Sequence, residues 1–148
     1  MTDLYTPFLE ATRNVFHLML DLSEISDRPA ERLGSGEELD VSIGFIGDLK
    51  GEVIYRLPHQ TSLGIVTIMS GMEFDAVDEF VTSAISEIAN IISGNVLTML
   101  AERDLTCDIL PPVLKSPDDE EDYKHPNNIL ITSEVGDVCL DIRLELAK

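Results

Sequence analysis

The sequence predicts a two-layer α/β (α+β) domain, with long helices packed on one face of a largely antiparallel sheet. Three observations carry this expectation. Residues 138–146 alternate without a break, with Val138, Leu140, Ile142, Leu144 and Leu146 set against Cys139, Asp141, Arg143 and Glu145. That is the pattern of a strand with one buried and one wet face, the apolar set inward and the other set outward. Two hairpin patterns, over 41–57 and 129–146, are separated by helical ones, which suits strands sharing one antiparallel sheet. Residues 79–101 repeat apolar side chains at helical spacing, with no Pro, Lys or Arg to interrupt them.

At 148 residues the chain fits one domain, 1–148, long enough to bury a core. A net charge of −18 argues against nucleic acid and anionic membrane surfaces, since binding a polyanion is led by Lys and Arg. A protein partner with a basic patch stays allowed, and this charge would speed the encounter. The same acidity also serves solubility. Cys107 and Cys139 lie in predicted strands and read as small buried hydrophobes of a reducing compartment, not as a disulfide or metal pair. The opening MTDLYTPFLEAT has no basic segment before an apolar run, so no signal peptide is expected. No stretch reads as apolar for long enough to cross a bilayer. The expected location is the cytoplasm.

Taken in order, Leu4, Phe8, Ala11, Val15, Leu18 and Leu22 recur at helical spacing and predict a helix over 4–24, started at Thr2-Asp3 or Thr6-Pro7. Residues 27–38, DRPAERLGSGEE, read as a polar loop. Two strands follow, one carrying Val41, Ile43 and Phe45 and the other Val53, Tyr55 and Leu57, joined by a hairpin loop over Gly47–Gly51. Pro58 ends the second strand, and 59–71 read as a short helix with Gly71 near its end. After the long helix the chain is extended through 106–110, and Pro111-Pro112 exclude helix. Residues 116–128, SPDDEEDYKHPNN, read as a mobile surface loop. Ile129, Ile131, Ser133 and Val135 then lead to a turn near Gly136-Asp137 and the final strand. Each half offers a long helix and a hairpin, which suggests an internal pseudo-repeat, although the likeness of 8–20 to 80–97 is too weak to establish it.

The long helix has two faces. Val81, Ala84, Ile85, Ile88, Ile92, Val96 and Met99 share an apolar side; Ser83, Glu87, Asn90 and Gly94 share another stripe. A merely solvated face carries long Lys, Glu and Arg side chains. This stripe has small residues around a single Glu and a single Asn, which leaves room for another surface to come close.

Standard sites are otherwise missing. Gly34-Ser35-Gly36 lacks the spacing of a phosphate loop or dinucleotide fingerprint, and the two Cys and three His (His17, His59, His125) lack zinc spacing. No nucleophile elbow is present. Glu87 and Asn90, at i and i+3, stand side by side on a helix. Hydrolysis of an acyl phosphate needs a water held in line with the P–O bond, and a carboxamide can both donate to such a water and accept from it. A neighbouring carboxylate can hold a lysine of the phosphate-bearing protein. Alone the spacing is common, and a solvent-facing polar pair is then the better explanation.

The surroundings of the pair narrow this. SAISEIANIISGN, preceded by GDLKGEVIYRLPHQTSLGIVTIMSGMEF and followed by LPPV, resembles the CheC/CheX/FliY family of chemotaxis phosphatases over about Leu39 to Val113. The resemblance implies a phosphatase acting on the phosphoaspartate of a CheY-like receiver domain. Glu87 would dock a receiver lysine, Asn90 would orient the hydrolytic water, and Ser83 and Gly94 would border the docking face. It further implies a homodimer and no metal of the chain's own, with Mg²⁺ belonging to the partner receiver. A single Glu-x-x-Asn fits the CheX branch, because CheC-type proteins carry two; here Glu10 is followed by Arg13, with Asn14 one residue out of phase. A non-catalytic module of the same fold, docking a receiver or a flagellar-switch protein, is the alternative.

Overall fold

The structure is a computed structural model that describes residues 4–29, 38–115 and 127–147. Three helices lie on an open antiparallel sheet. The chain runs through α1 (Tyr5–Leu20), β1 (Ser26–Pro29), β2 (Glu38–Gly47), β3 (Leu49–Pro58), α2 (His59–Ser70), α3 (Glu79–Ala101), β4 (Cys107–Ile109), β5 (Val113–Lys115), β6 (Asn127–Ser133) and β7 (Gly136–Leu146). The fold class read from the sequence is the one observed.

Sheet order is β1-β6-β7-β3-β2-β4, with β5 also pairing β2. This order reads the same from either end. Each half of the chain supplies a helix, then a short strand, then a hairpin: α1, β1, β2–β3 in one half and α3, β4/β5, β6–β7 in the other. The two hairpins meet at β3–β7, and each half's short strand joins the outer edge of the other half's hairpin. The pseudo-repeat is therefore plain in the topology, with α2 as the insertion between the halves. α1 and α3 pack against one another across the middle.

Between helices and sheet sits the core, built from Phe8, Phe16, Val41, Ile43, Phe45, Tyr55 and the inner faces of β6, β7 and α3. Phe8 packs on Phe45 with ring centroids 5.9 Å apart. Tyr5 donates from its hydroxyl to Asp27 Oδ2 at 2.9 Å, and Arg13 reaches Asp27 Oδ1 at 3.1 Å, so α1 is tied to β1. Burial and the Asp27 carboxylate push the Tyr5 hydroxyl up to about 12.

Several expectations need correction. The first helix ends at Leu20, where Asp21 takes a left-handed conformation (φ 56°), so 21–24 are not helical. Asp27–Pro29, read as loop, form most of β1; they have no alternation and become a strand by pairing with β6, at an edge where Pro29 is tolerated. Residues 30–37 of that loop, and 116–126 of the acidic one, lie outside the described residues; Asn127 and Asn128 belong to β6. β5 was likewise not foreseen. The last hairpin turns at Glu134–Val135, and Gly136 (φ 125°) opens β7, where a Cβ would meet the Thr61 side chain.

In β7 the inner set Val138, Leu140 and Ile142 is buried as read, while Leu144 is half-buried and Leu146, at the strand's end, is 50% exposed. Glu145 is exposed and Arg143 half-buried, but Cys139 and Asp141, expected on the wet face, are buried. The reason is a network on the sheet's outer face. Arg56 donates from Nη1 to Asp40 Oδ2 at 2.8 Å and from Nη2 to Asp141 Oδ2 at 2.9 Å, and Arg143 shares that Asp141 oxygen at 2.9 Å. Cys139 is the register partner of Arg56. Polar residues at alternate positions are here paired and closed off instead of solvated. The other cysteine, Cys107, is half-buried.

One expectation about membranes also changes. α3 is, by length and composition, long and apolar enough to cross a bilayer. In this fold it is the core helix, with Val81, Ile85, Ile88, Ala89, Ile92, Ser93, Val96 and Leu100 buried.

Candidate functional site

α3 is held at both ends and in the middle. Asp78 caps its start, accepting from the Val81 amide at 3.0 Å, and Glu79 adds favourable charge in the first turn. At its end Asp104 (φ 63°) turns the chain, with Leu105 N–H bonding Leu100 O at 3.0 Å and Asp104 N–H bonding Ala101 O at 3.1 Å. On the buried side Ser93 and the Tyr55 hydroxyl share a 2.7 Å hydrogen bond. Burial drives the Tyr55 hydroxyl pKa upward, so it remains a neutral partner. That bond joins helix to sheet and fixes which face points out.

The outward face is the predicted stripe. Ser83 and Glu87 are exposed, and Asn90 and Gly94 are half-buried. Neither the Glu87 nor the Asn90 side chain makes a hydrogen bond or ion pair among the described residues, so both polar heads are available to an incoming group. A Cβ built at Gly94 meets nothing within 4 Å, so the surface there is open. Among the described residues no group of three or more His, Cys, Asp or Glu is placed to hold a metal ion. Phe80 also belongs to this stripe, 53% exposed and stacked on Phe74. The sequence reading passed over it, although its position seven residues before Glu87 puts it on the same face.

The family model described as chemotaxis phosphatase CheX matches residues 40–132, a span that contains most of β2 and the whole of β3 and α3. The chain belongs to the CheX family. A CheY-P phosphatase CheX from Thermotoga maritima is 36% identical over 75 residues, which cover 50% of this chain and 48% of that protein. The chain thus matches about half the length of that curated relative. The chemotaxis protein CheX of Vibrio vulnificus has the same fold, with a TM-score of 0.81 and 24% identity over 97% of each chain. So does the structure of a CheX–CheY–BeF3–Mg²⁺ complex from Borrelia burgdorferi, with a TM-score of 0.82 and 22% identity over 98% of this chain and 99% of that one. At such identities the solved structures speak for the fold. The family's chemistry has to be argued from the stripe itself.

Proposed function

We propose that this CheX-family chain is a phosphatase that hydrolyses the phosphoaspartate of a CheY-like receiver domain. The observation that carries this is the pair of unpartnered polar heads, Glu87 and Asn90, on a rigid helix face opened by Ser83 and Gly94. In the reaction a water oxygen bonds to phosphorus as the bond from phosphorus to the aspartyl oxygen breaks, giving dihydrogen phosphate and a free carboxylate. A carboxamide is no base. Asn90 contributes by holding the water on the line of attack, accepting one of its hydrogens and donating to its oxygen. Glu87, one turn earlier, takes a receiver lysine and so fixes the register of the two proteins. Mg²⁺ in this scheme belongs to the receiver, beside the acyl phosphate, and the chain brings no metal. The activity named for the Thermotoga relative and the CheY complex of the Borrelia neighbour support the reading.

The test is to incubate the protein with phosphorylated CheY-like receivers and follow loss of phosphate. Faster loss with the protein present is the expected result. Binding without any acceleration would replace the enzyme by a docking module of the same fold.

A homodimer is part of the proposal. Ile46, Leu110, Val113 and Leu114 lie exposed along the sheet edge formed by β2, β4 and β5, and an uncovered edge with an apolar rim is a surface for a second copy. Light scattering at micromolar concentration should give twice the chain mass. The charge of −18 favours a protein partner with a basic patch over nucleic acid or anionic membrane surfaces.

A further inference from the structure

We propose that Phe80, stacked on Phe74, is a second anchor of the receiver-docking face. It would take an apolar side chain of the receiver that is flanked by Lys or Arg, beside the phosphorylation site. This rests on the assignment of the Glu87–Asn90 stripe as the docking face.

Position is the first argument. Phe80 precedes Glu87 by seven residues, so it points within about 20° of the same direction and lies about 10 Å along the helix. A receiver seated on Glu87 and Asn90 covers Phe80 as well, given the usual breadth of a protein interface. Rigidity is the second. Phe80 is 53% exposed, yet its ring is stacked on that of Phe74 at a centroid distance of 5.4 Å and an interplanar angle of 11°, and Phe74 packs on the core. An aromatic side chain already held in place gives up little freedom on binding, which is what makes an efficient anchor. A local role does not account for it. The hydrophobic staple at a helix start joins the residue before the cap to the fourth helical position, here Val77 and Thr82, and leaves Phe80 out.

Charge selects the occupant. From Leu57 to Glu102 there is no Lys or Arg. The approach to α3 instead carries Glu73, Asp75 and Glu79, all exposed, and exposed Met69 and Met72 in the preceding turn and link. Methionine surfaces adapt to the shape they meet. An apolar side chain bordered by Lys or Arg complements this collar, and one bordered by Asp or Glu is repelled.

The experiment measures turnover of a phosphorylated CheY-like receiver, loaded with a small-molecule phosphodonor, by the full chain and its variants. Phe80→Ala is expected to raise KM about tenfold and to hold kcat within about twofold, because the lost contact is made equally before and during reaction. Phe80→Leu should recover part of the loss. Glu79→Lys should raise KM in a manner that fades with added salt. Should Phe80→Ala destabilise the fold, a lowered melting temperature exposes it and Phe80→Leu, with the bulk retained, carries the comparison. An unchanged KM in folded Phe80→Ala overturns the inference. Failure of the site assignment shows elsewhere, as full kcat in Asn90→Ala. Where the unmutated protein binds without hydrolysing, the Kd for the same receiver takes the place of KM.

Discussion

Replacing Gly94 separates what the helix wants from what the proposed docking face needs. Gly94 lies in the body of α3 with ordinary helical φ, and an added Cβ would meet nothing within 4 Å. Alanine is favoured over glycine in a helix interior by about 1 kcal/mol, with no clash here to offset it. Gly94→Ala should therefore stabilise the chain by about 1 kcal/mol and raise its melting temperature by about 2–4 °C. The same Cβ stands on the stripe, seven residues past Glu87 and so within about 20° of its direction. Against a closely seated receiver it costs affinity, and a larger side chain blocks the approach. Gly94→Phe should keep the native melting transition and lose receiver turnover by about tenfold or more. Thermal unfolding and a phosphate-release assay on the same samples read both effects. A folded Gly94→Phe protein with full turnover would refute the docking face at this position, and a less stable Gly94→Ala would refute the view of an open helix surface.

Asn90→Ala should lower kcat by about a hundredfold or more with receiver affinity nearly intact, since positioning of the water is lost and contact area is not; single-turnover phosphate release measures it. Glu87→Ala should weaken docking as well, and the loss should shrink as salt is added; neither substitution should shift the melting temperature, because neither side chain is in the core. Arg56→Met leaves Asp40 and Asp141 without their shared cation at 3% exposure each, and should cost about 3–5 kcal/mol in urea unfolding. Burial, with Asp141 nearby, holds the Cys139 thiol up at about 11 from an ordinary 9.0. Above pH 9 the unfolded chain then carries fewer protons than the folded one. Stability should be intact below pH 9, fall as pH rises through 11, and fall less in Cys139→Ala; denaturant titrations across that range test it.

The long helix was legible because one local rule governed it. Its apolar residues face one way, its cap is an Asp, and the span read from periodicity, 79–101, is the span observed. The hairpins were legible for the same reason, alternation within each strand and turn residues between them. What failed were features decided by partners far along the chain. Ser26–Pro29 is a strand only because β6 lies beside it. Cys139 and Asp141 were read as wet because a lone carboxylate in an alternating pattern normally is. Their burial depends on Arg56, which stands 85 residues before Asp141 and reaches it across the sheet. At the site, the stripe itself was readable from a helical wheel. The stacking of Phe80 on Phe74 was not, since it depends on how the link from α2 to α3 folds back.

The two-fold topology bears on how many sites one chain can offer. α1 holds the place in its half that α3 holds in the other, each followed by a short strand and a hairpin. On α1 the residue three after Glu10 is Arg13, not Asn. Its guanidinium donates to Asp27 Oδ1 at 3.1 Å and to Ile25 O at 3.4 Å, and the Tyr5 hydroxyl binds the same carboxylate. An arginine has no lone pair with which to accept from a water, and this one is occupied in fastening α1 to β1. On α1 the residue in that place is exposed but is already paired within the chain, whereas the Glu87 and Asn90 side chains of α3 are unpaired among the described residues. With no second carboxamide in the corresponding place of α1, the proposed mechanism has one site per chain, and Asn90→Ala alone should remove the turnover it provides.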